Sequence, residues 1–144
     1  MKLNTGKMAF PIEFDNGDTD VIYFNPNDPD LAKRLTEYGK KVSDRFRQLS
    51  EDIALKQDGT PEDVGRLNEV LKMQEILYEE LDVAFGAPVS KVVFKYCSAF
   101  AIVDGMPFVT QFMHAITKEI EKVNKKINAE VEKKMKKHLA KYIK

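Results

Sequence analysis

Apolar residues recur along this chain at two periods, and the place where one gives way to the other divides it into elements. Near the start the period is two. Phe10, Ile12 and Phe14 alternate with Pro11 and Glu13, and Val21-Ile22-Tyr23-Phe24 is β-branched and aromatic. Between them Asp15-Asn16-Gly17-Asp18 is strong turn chemistry, so the pattern predicts a β-hairpin. A lone hairpin is marginal in water and must pack on a helix or pair with a further strand. Its unpaired edges are the first candidate contact surface.

After Asn25-Pro26-Asn27 the period becomes three to four. Asp28 is placed as an N-cap, Pro29 suits the first helical position, and Asp30 favours the positive helix end. The helix they open carries Leu31, Leu35, Tyr38, Val42, Phe46, Leu49 and Ile53 on one stripe. Gly39 inside it is compatible with close packing, and Asp58-Gly59 is the expected stop. Thr60, Pro61 and Asp63 then form a second helix start with an acidic capping-box position. Its stripe is Val64, Leu67, Leu71, Gln74, Leu77, Tyr78 and Leu81, running to Phe85, with Gly86 as the stop. So short a connection makes the two helices antiparallel neighbours.

Residues 89–97 are apolar nearly all round through Val92, Val93, Phe94, Tyr96 and Cys97, and predict a short buried helix. Residues 99–103 fit helix or strand equally, and Asp104-Gly105 turns the chain. From Pro107 to Tyr142 a single stripe runs through Phe108, Phe112, Ile116, Ile120, Val123, Ile127, Val131, Met135, Leu139 and Tyr142. Some 36 residues at about 1.5 Å each would make a helix of about 54 Å. A compact domain of this size has a radius of gyration of about 14–15 Å, so the helix should outrun its own domain. The expected fold is mainly α with a small N-terminal β-hairpin (α+β): an antiparallel helical hairpin, a short buried helix and a long C-terminal helix. One domain is expected, with residues 1–117 as hairpin plus helical core and residues 118–144 as a basic extension of the last helix.

Composition narrows the class. With 144 residues, 43% apolar and 32% charged, the chain can bury a core and is not a disordered polymer. Cys97 is the single cysteine, so no bridge can form within the chain, and a reducing compartment is expected. Residues 1–7 are polar with no apolar run behind them, unlike a secretory leader. The most apolar stretch, residues 89–116, is broken by Lys91, Lys95, Asp104, Gly105 and Pro107, so no membrane span is expected. Together these favour the cytoplasm. The formal net charge is zero, yet residues 118–144 hold ten lysines against four glutamates, a local +6 that the first 117 residues balance. Such opposed ends either favour head-to-tail association or serve solubility.

The residues that carry chemistry are sparse. His114 and His138 lie 24 positions apart on one helix and cannot share a metal within the chain. A partly buried His114 and a solvated His138 are expected. Cys97, among Phe94, Tyr96 and Phe100, reads as a core cysteine whose thiol is raised rather than activated. Glu79 and Glu80 diverge by about 100° on a helix and, with Asp82, read as a solvated face. The run from Asp15 to Asp20 resembles half a calcium loop but lacks the closing glutamate, and reads as a turn. There is no phosphate-binding glycine loop and no serine nucleophile elbow, so no enzyme is expected, and no cofactor or metal. The lysine-rich end offers one face for phosphates, but it has no arginine and interleaves glutamates, so nucleic acid is disfavoured. A membrane-surface helix is disfavoured further, for want of aromatic anchors beyond Phe112.

Residues 81–94 carry the pattern Leu-Asp-x-x-Phe-Gly-x-x-x-Ser-x-x-x-Phe, from Leu81 through Asp82, Phe85, Gly86 and Ser90 to Phe94. With the order of hairpin, helices and closing helix, this resembles the small tail assembly chaperones of long-tailed bacteriophages and prophages of Gram-positive bacteria. It is similar too to uncharacterised prophage proteins of the same gene neighbourhood. The resemblance implies a non-catalytic helical protein that self-associates as a homo-oligomer and coats the apolar tape measure protein before the tail tube polymerises. The partner contact is placed on Val123, Ile127, Val131, Met135 and Leu139. Alternatively, that stripe covers the chain's own hairpin and first helix. The rival functions are a nucleic-acid-binding regulator using the basic helix, and a structural tail or connector subunit.

Overall fold

Strand β1 (Met8–Glu13) pairs antiparallel with β2 (Thr19–Phe24) in the register Phe10↔Ile22 and Glu13↔Thr19. The turn between them is closed by the Phe14 amide donating to the Asp18 carbonyl at 2.9 Å, with Gly17 at φ +86°. The Asn16 side chain accepts from the Asp18 amide at 2.9 Å, so the aspartate-rich run is a turn, not a calcium loop. Alternation gives the hairpin one inner face, where Phe10, Ile22 and Phe24 are buried. The computed structural model describes residues 1–53 and 61–142, and over these the fold is mainly α with a small N-terminal hairpin.

Helix α1 (Pro29–Ile53) starts as its sequence predicts. The Asp28 carboxylate accepts from the Asp30 amide at 3.0 Å, and Pro29 occupies the first helical position. Helix α2 (Pro61–Phe85) returns antiparallel, and the Arg34 Nε donates to the Ala84 carbonyl at 2.8 Å, one of the carbonyls that helix end leaves open. Gly86, at φ +65°, supplies the left-handed stop, with the Ala87 amide reaching back to the Asp82 carbonyl at 3.2 Å. The predicted Asp58-Gly59 stop and Thr60 cap lie outside the described residues.

In the middle of the chain one expectation needs correction and one open choice is resolved. Only Ser90–Val93 of residues 89–97 is helical (α3). Residues after it leave the helix because their side chains have separate targets. Phe94 stacks on Tyr78 at 4.6 Å, while Tyr96 and Lys95 reach Asp18 at the hairpin tip. The ambiguous residues 99–103 end in β3 (Ile102–Val103), paired antiparallel with β4 (Met106–Pro107). Asp104 at φ +52° and Gly105 at φ +80° make the two-residue turn whose twist suits a tight hairpin.

Helix α4 (Phe108–Ala140) then runs for 33 residues. One core joins the pieces: Ile22 and Phe24 of the hairpin, Leu35 and Tyr38 of α1, Leu77 and Leu81 of α2, and Val109, Phe112 and Ile116 of α4. A line of rings crosses it, with Phe24 at 5.2 Å from Phe85 and Phe85 at 6.2 Å from Phe112. Leu77 and Leu81 are wholly buried, each stabilising the fold by about 1.5–3 kcal/mol relative to exposure.

Candidate partner-binding site

The start of α4 is fixed by its neighbours' backbone. Gln74 and Tyr78, both on α2, hold the loop before it: the Phe100 amide donates to Gln74 Oε1 at 2.9 Å and the Ala99 amide to the Tyr78 hydroxyl at 3.2 Å. Val109 and Phe108 then donate their amides to the carbonyls of Ala99 and Ala101. From this anchor α4 lays Val109, Phe112 and Ile116 into the core, and Ile120 and Val123 pack partly buried against it. Asn124 Nδ2 donates to the Pro26 carbonyl at 3.0 Å, beside the start of α1. There the body ends.

Beyond Asn124 the helix continues without cover from the rest of the described chain. Ile127 is half-buried, whereas Val131, Met135 and Leu139 are 51%, 55% and 53% exposed. The predicted contact stripe therefore divides. Val123 belongs to the chain's own core, Ile127 lies at the boundary, and the last three positions face solvent.

The free part of the stripe also points elsewhere. Ile127, Val131, Met135 and Leu139 follow one another at intervals of four. Each such step overshoots a full helical turn by about 40°, so three swing Leu139 about 120° around the axis from Ile127. Even an extended body under the same face of α4 would leave Leu139 uncovered. Lys134 borders this face on one side and Lys136 on the other, and all seven lysines of residues 125–142 are exposed. His138 lies edge-on to Tyr142 at 5.1 Å.

Of the remaining chemistry-bearing residues, Asp82 and Glu80 are occupied by the fold. Asp82 is not on a solvated face: its two oxygens accept from the Ser90 amide at 2.7 Å and the Ser90 hydroxyl at 2.8 Å. Glu80 pairs with Arg45 at 2.6 Å, while Glu79 is exposed as expected. His114 is exposed rather than partly buried. Cys97 is half-buried rather than in the core, because Tyr96 turns outward to Asp18. Burial, and secondarily Asp15, raises its thiol above the usual range, so it is not an activated nucleophile. The cleft between α1 and α2, of about 390 Å³, is lined in part by Arg34, Tyr38 and Glu80, each of which has a partner in the fold, although Glu80 Oε2 is buried without one. Among the described residues no group of three or more His, Cys, Asp or Glu is placed to hold a metal ion. Nor is any helix among them long and apolar enough to cross a membrane.

No protein-family model, curated protein or solved structure matches this chain. The pattern at residues 81–94 has a structural account of its own. Asp82 binds Ser90, Phe85 fills the core, Gly86 takes the left-handed stop and Phe94 stacks on Tyr78. These residues build the turn between α2 and α3. Sequence reasoning missed the Asp82–Ser90 pair, although its spacing across a Phe-Gly helix stop was the available signal.

Proposed function

We propose that this chain is a non-catalytic protein-binding protein whose α4 arm holds an apolar segment of another protein, as a tail assembly chaperone or scaffold does. The carrying observation is the solvent-facing row of Val131, Met135 and Leu139 on a helix that has left its own core. Apolar side chains repeated along one face of a free helix suit helix-to-groove recognition, and the surrounding lysines keep such a surface soluble. The resemblance at residues 81–94 supplies the more specific role, coating of a tape measure protein in a bacterial host.

The test is binding of a fluorescein-labelled, neutral, leucine-rich amphipathic peptide, followed by anisotropy. The full chain binds it, with little change between about 50 and 200 mM salt. The variant Val131→Ser/Met135→Ser/Leu139→Ser weakens binding about tenfold or more. Equal binding by that variant, or none by the full chain, would sink the reading. A second reading draws on the seven exposed lysines of the arm. Binding to duplex DNA that falls steeply with salt, and is indifferent to those three serine substitutions, would favour a nucleic-acid regulator instead.

A further inference from the structure

Charge is not spread evenly along the arm of α4. Residues 125–132 hold Lys125 and Lys126 against Glu130 and Glu132 and sum to zero, whereas residues 133–142 hold five lysines and no acid. All of these residues are exposed. None of the five lysines has an ion-pair partner among the described residues.

The helix end does not account for this excess. Cations offset a helix dipole only within about one turn of the C-terminus, which covers Lys137 in the last turn of α4. Lys133, Lys134 and Lys136 lie before it. Nor does solubility demand a single sign, since interleaved charges such as those of residues 125–132 serve it. The placement is specific instead. Lys134 is three residues beyond Val131 and Lys136 three before Leu139. The two therefore stand on opposite sides of Met135, each about 100° around the axis from it. Whatever lies on Met135 meets an ammonium group on either side.

The shape of the apolar row says what kind of body that is. Val131, Met135 and Leu139 form a single ridge at intervals of four, the feature that seats in the groove of a second helix. The ridge turns by about 40° at each step. A lipid surface needs a broad apolar face that runs straight, which this row does not keep. Nucleic acid would use the lysines and leave the row idle.

We propose that the partner of the arm is an amphipathic helix of another protein whose apolar face is edged by carboxylates where it lies along Met135 and Leu139. Apolar contacts hold that helix, and the lysines of residues 133–141 select it against neutral and basic ones. The proposal rests on the reading of the arm as a protein-binding site and adds the chemistry of what it binds.

Three fluorescein-labelled leucine-rich peptides test it by anisotropy, alike except that glutamine, glutamate or lysine flanks the apolar row. At about 50 mM salt the glutamate peptide binds the full chain about fivefold tighter than the glutamine peptide, and the lysine peptide binds weakest. The spread narrows by about 200 mM. Lys133→Gln/Lys134→Gln/Lys136→Gln/Lys137→Gln abolishes the glutamate preference and leaves the glutamine peptide's affinity unchanged, whereas Lys125→Gln/Lys126→Gln keeps the preference. Circular dichroism checks that both variants fold. Equal binding of the glutamine and glutamate peptides would overturn the proposal and leave the protein-binding reading standing. Binding of none of the three would sink that reading and the proposal with it. A glutamate preference that survives the fourfold substitution, or is lost equally in both variants, would also overturn the proposal. So would duplex DNA, or vesicles of phosphatidylglycerol and phosphatidylcholine, held more tightly than the glutamate peptide.

Discussion

The two halves of α4 both carry a regularly spaced apolar row, and the rows meet opposite fates. In the first, Val109, Phe112 and Ile116 are buried in the common core. In the second, Val131, Met135 and Leu139 stand about half exposed on a helix with nothing beside it among the described residues. Composition separates them in part, since residues 108–124 hold two phenylalanines and two lysines and residues 125–140 no phenylalanine and six lysines. Geometry completes the separation: the body ends at the Asn124–Pro26 hydrogen bond, and from Ile127 onward the stripe winds off the face the body uses. An apolar row that its own fold covers and one that it leaves open follow similar spacing in sequence. They differ in whether the chain has anything left to cover them.

Substitution separates the halves most sharply. Phe112→Ala removes a buried ring beside Phe85 and should cost about 3–5 kcal/mol of unfolding free energy in urea. Leu139→Ala should stay within about 0.5 kcal/mol of the unmodified chain at low concentration. A comparable loss at both positions would mean the arm is packed on its own body after all. Asp82→Ala should cost about 1.5–3 kcal/mol, since it deprives Ser90 of two charge-assisted hydrogen bonds that fix the route from α2 to α3. No change in urea midpoint would remove the structural account of residues 81–94. Tyr38→Phe deletes one buried bond to the Leu77 carbonyl, 3.1 Å long, and should cost about 0.5–1.5 kcal/mol in the same assay.

The helical hairpin, its Asp28 start and its Gly86 stop were legible because each rests on local chemistry: a cap, a proline at the first helical position, a glycine with positive φ. The overrun of α4 was legible from length alone. Residues 89–107 were not, because their course is set by contacts distant in sequence, Phe94 on Tyr78 and Tyr96 on Asp18. No periodicity reports those. The candidate site was legible as a stripe but not as a divided one. Where a core stops depends on the placement of Pro26, which is a fact of tertiary arrangement.

The smallest expected effect is on pH dependence at the hairpin tip. The Tyr96 hydroxyl, and then Lys95, hold the Asp18 carboxyl below its usual range. The unfolded chain therefore binds that proton first as pH falls. The tip's contribution is present above the ordinary carboxylate value and fades as the pH drops below about 4. Tyr96→Phe should flatten this acid-side slope in a series of thermal melts, by lowering the midpoint slightly near neutrality and leaving it unchanged at the acid end. A slope that persists unchanged in the variant would place the titration elsewhere.

The account stands most directly on the solution mass, by light scattering on a sizing column, of the full chain and of a version ending at Asn124. The prediction is a full chain whose mass rises with concentration and a shortened chain that folds and stays monomeric throughout. If the two forms give the same multiple of their own mass at every concentration, the arm makes no contact between copies and the division of α4 carries no such function.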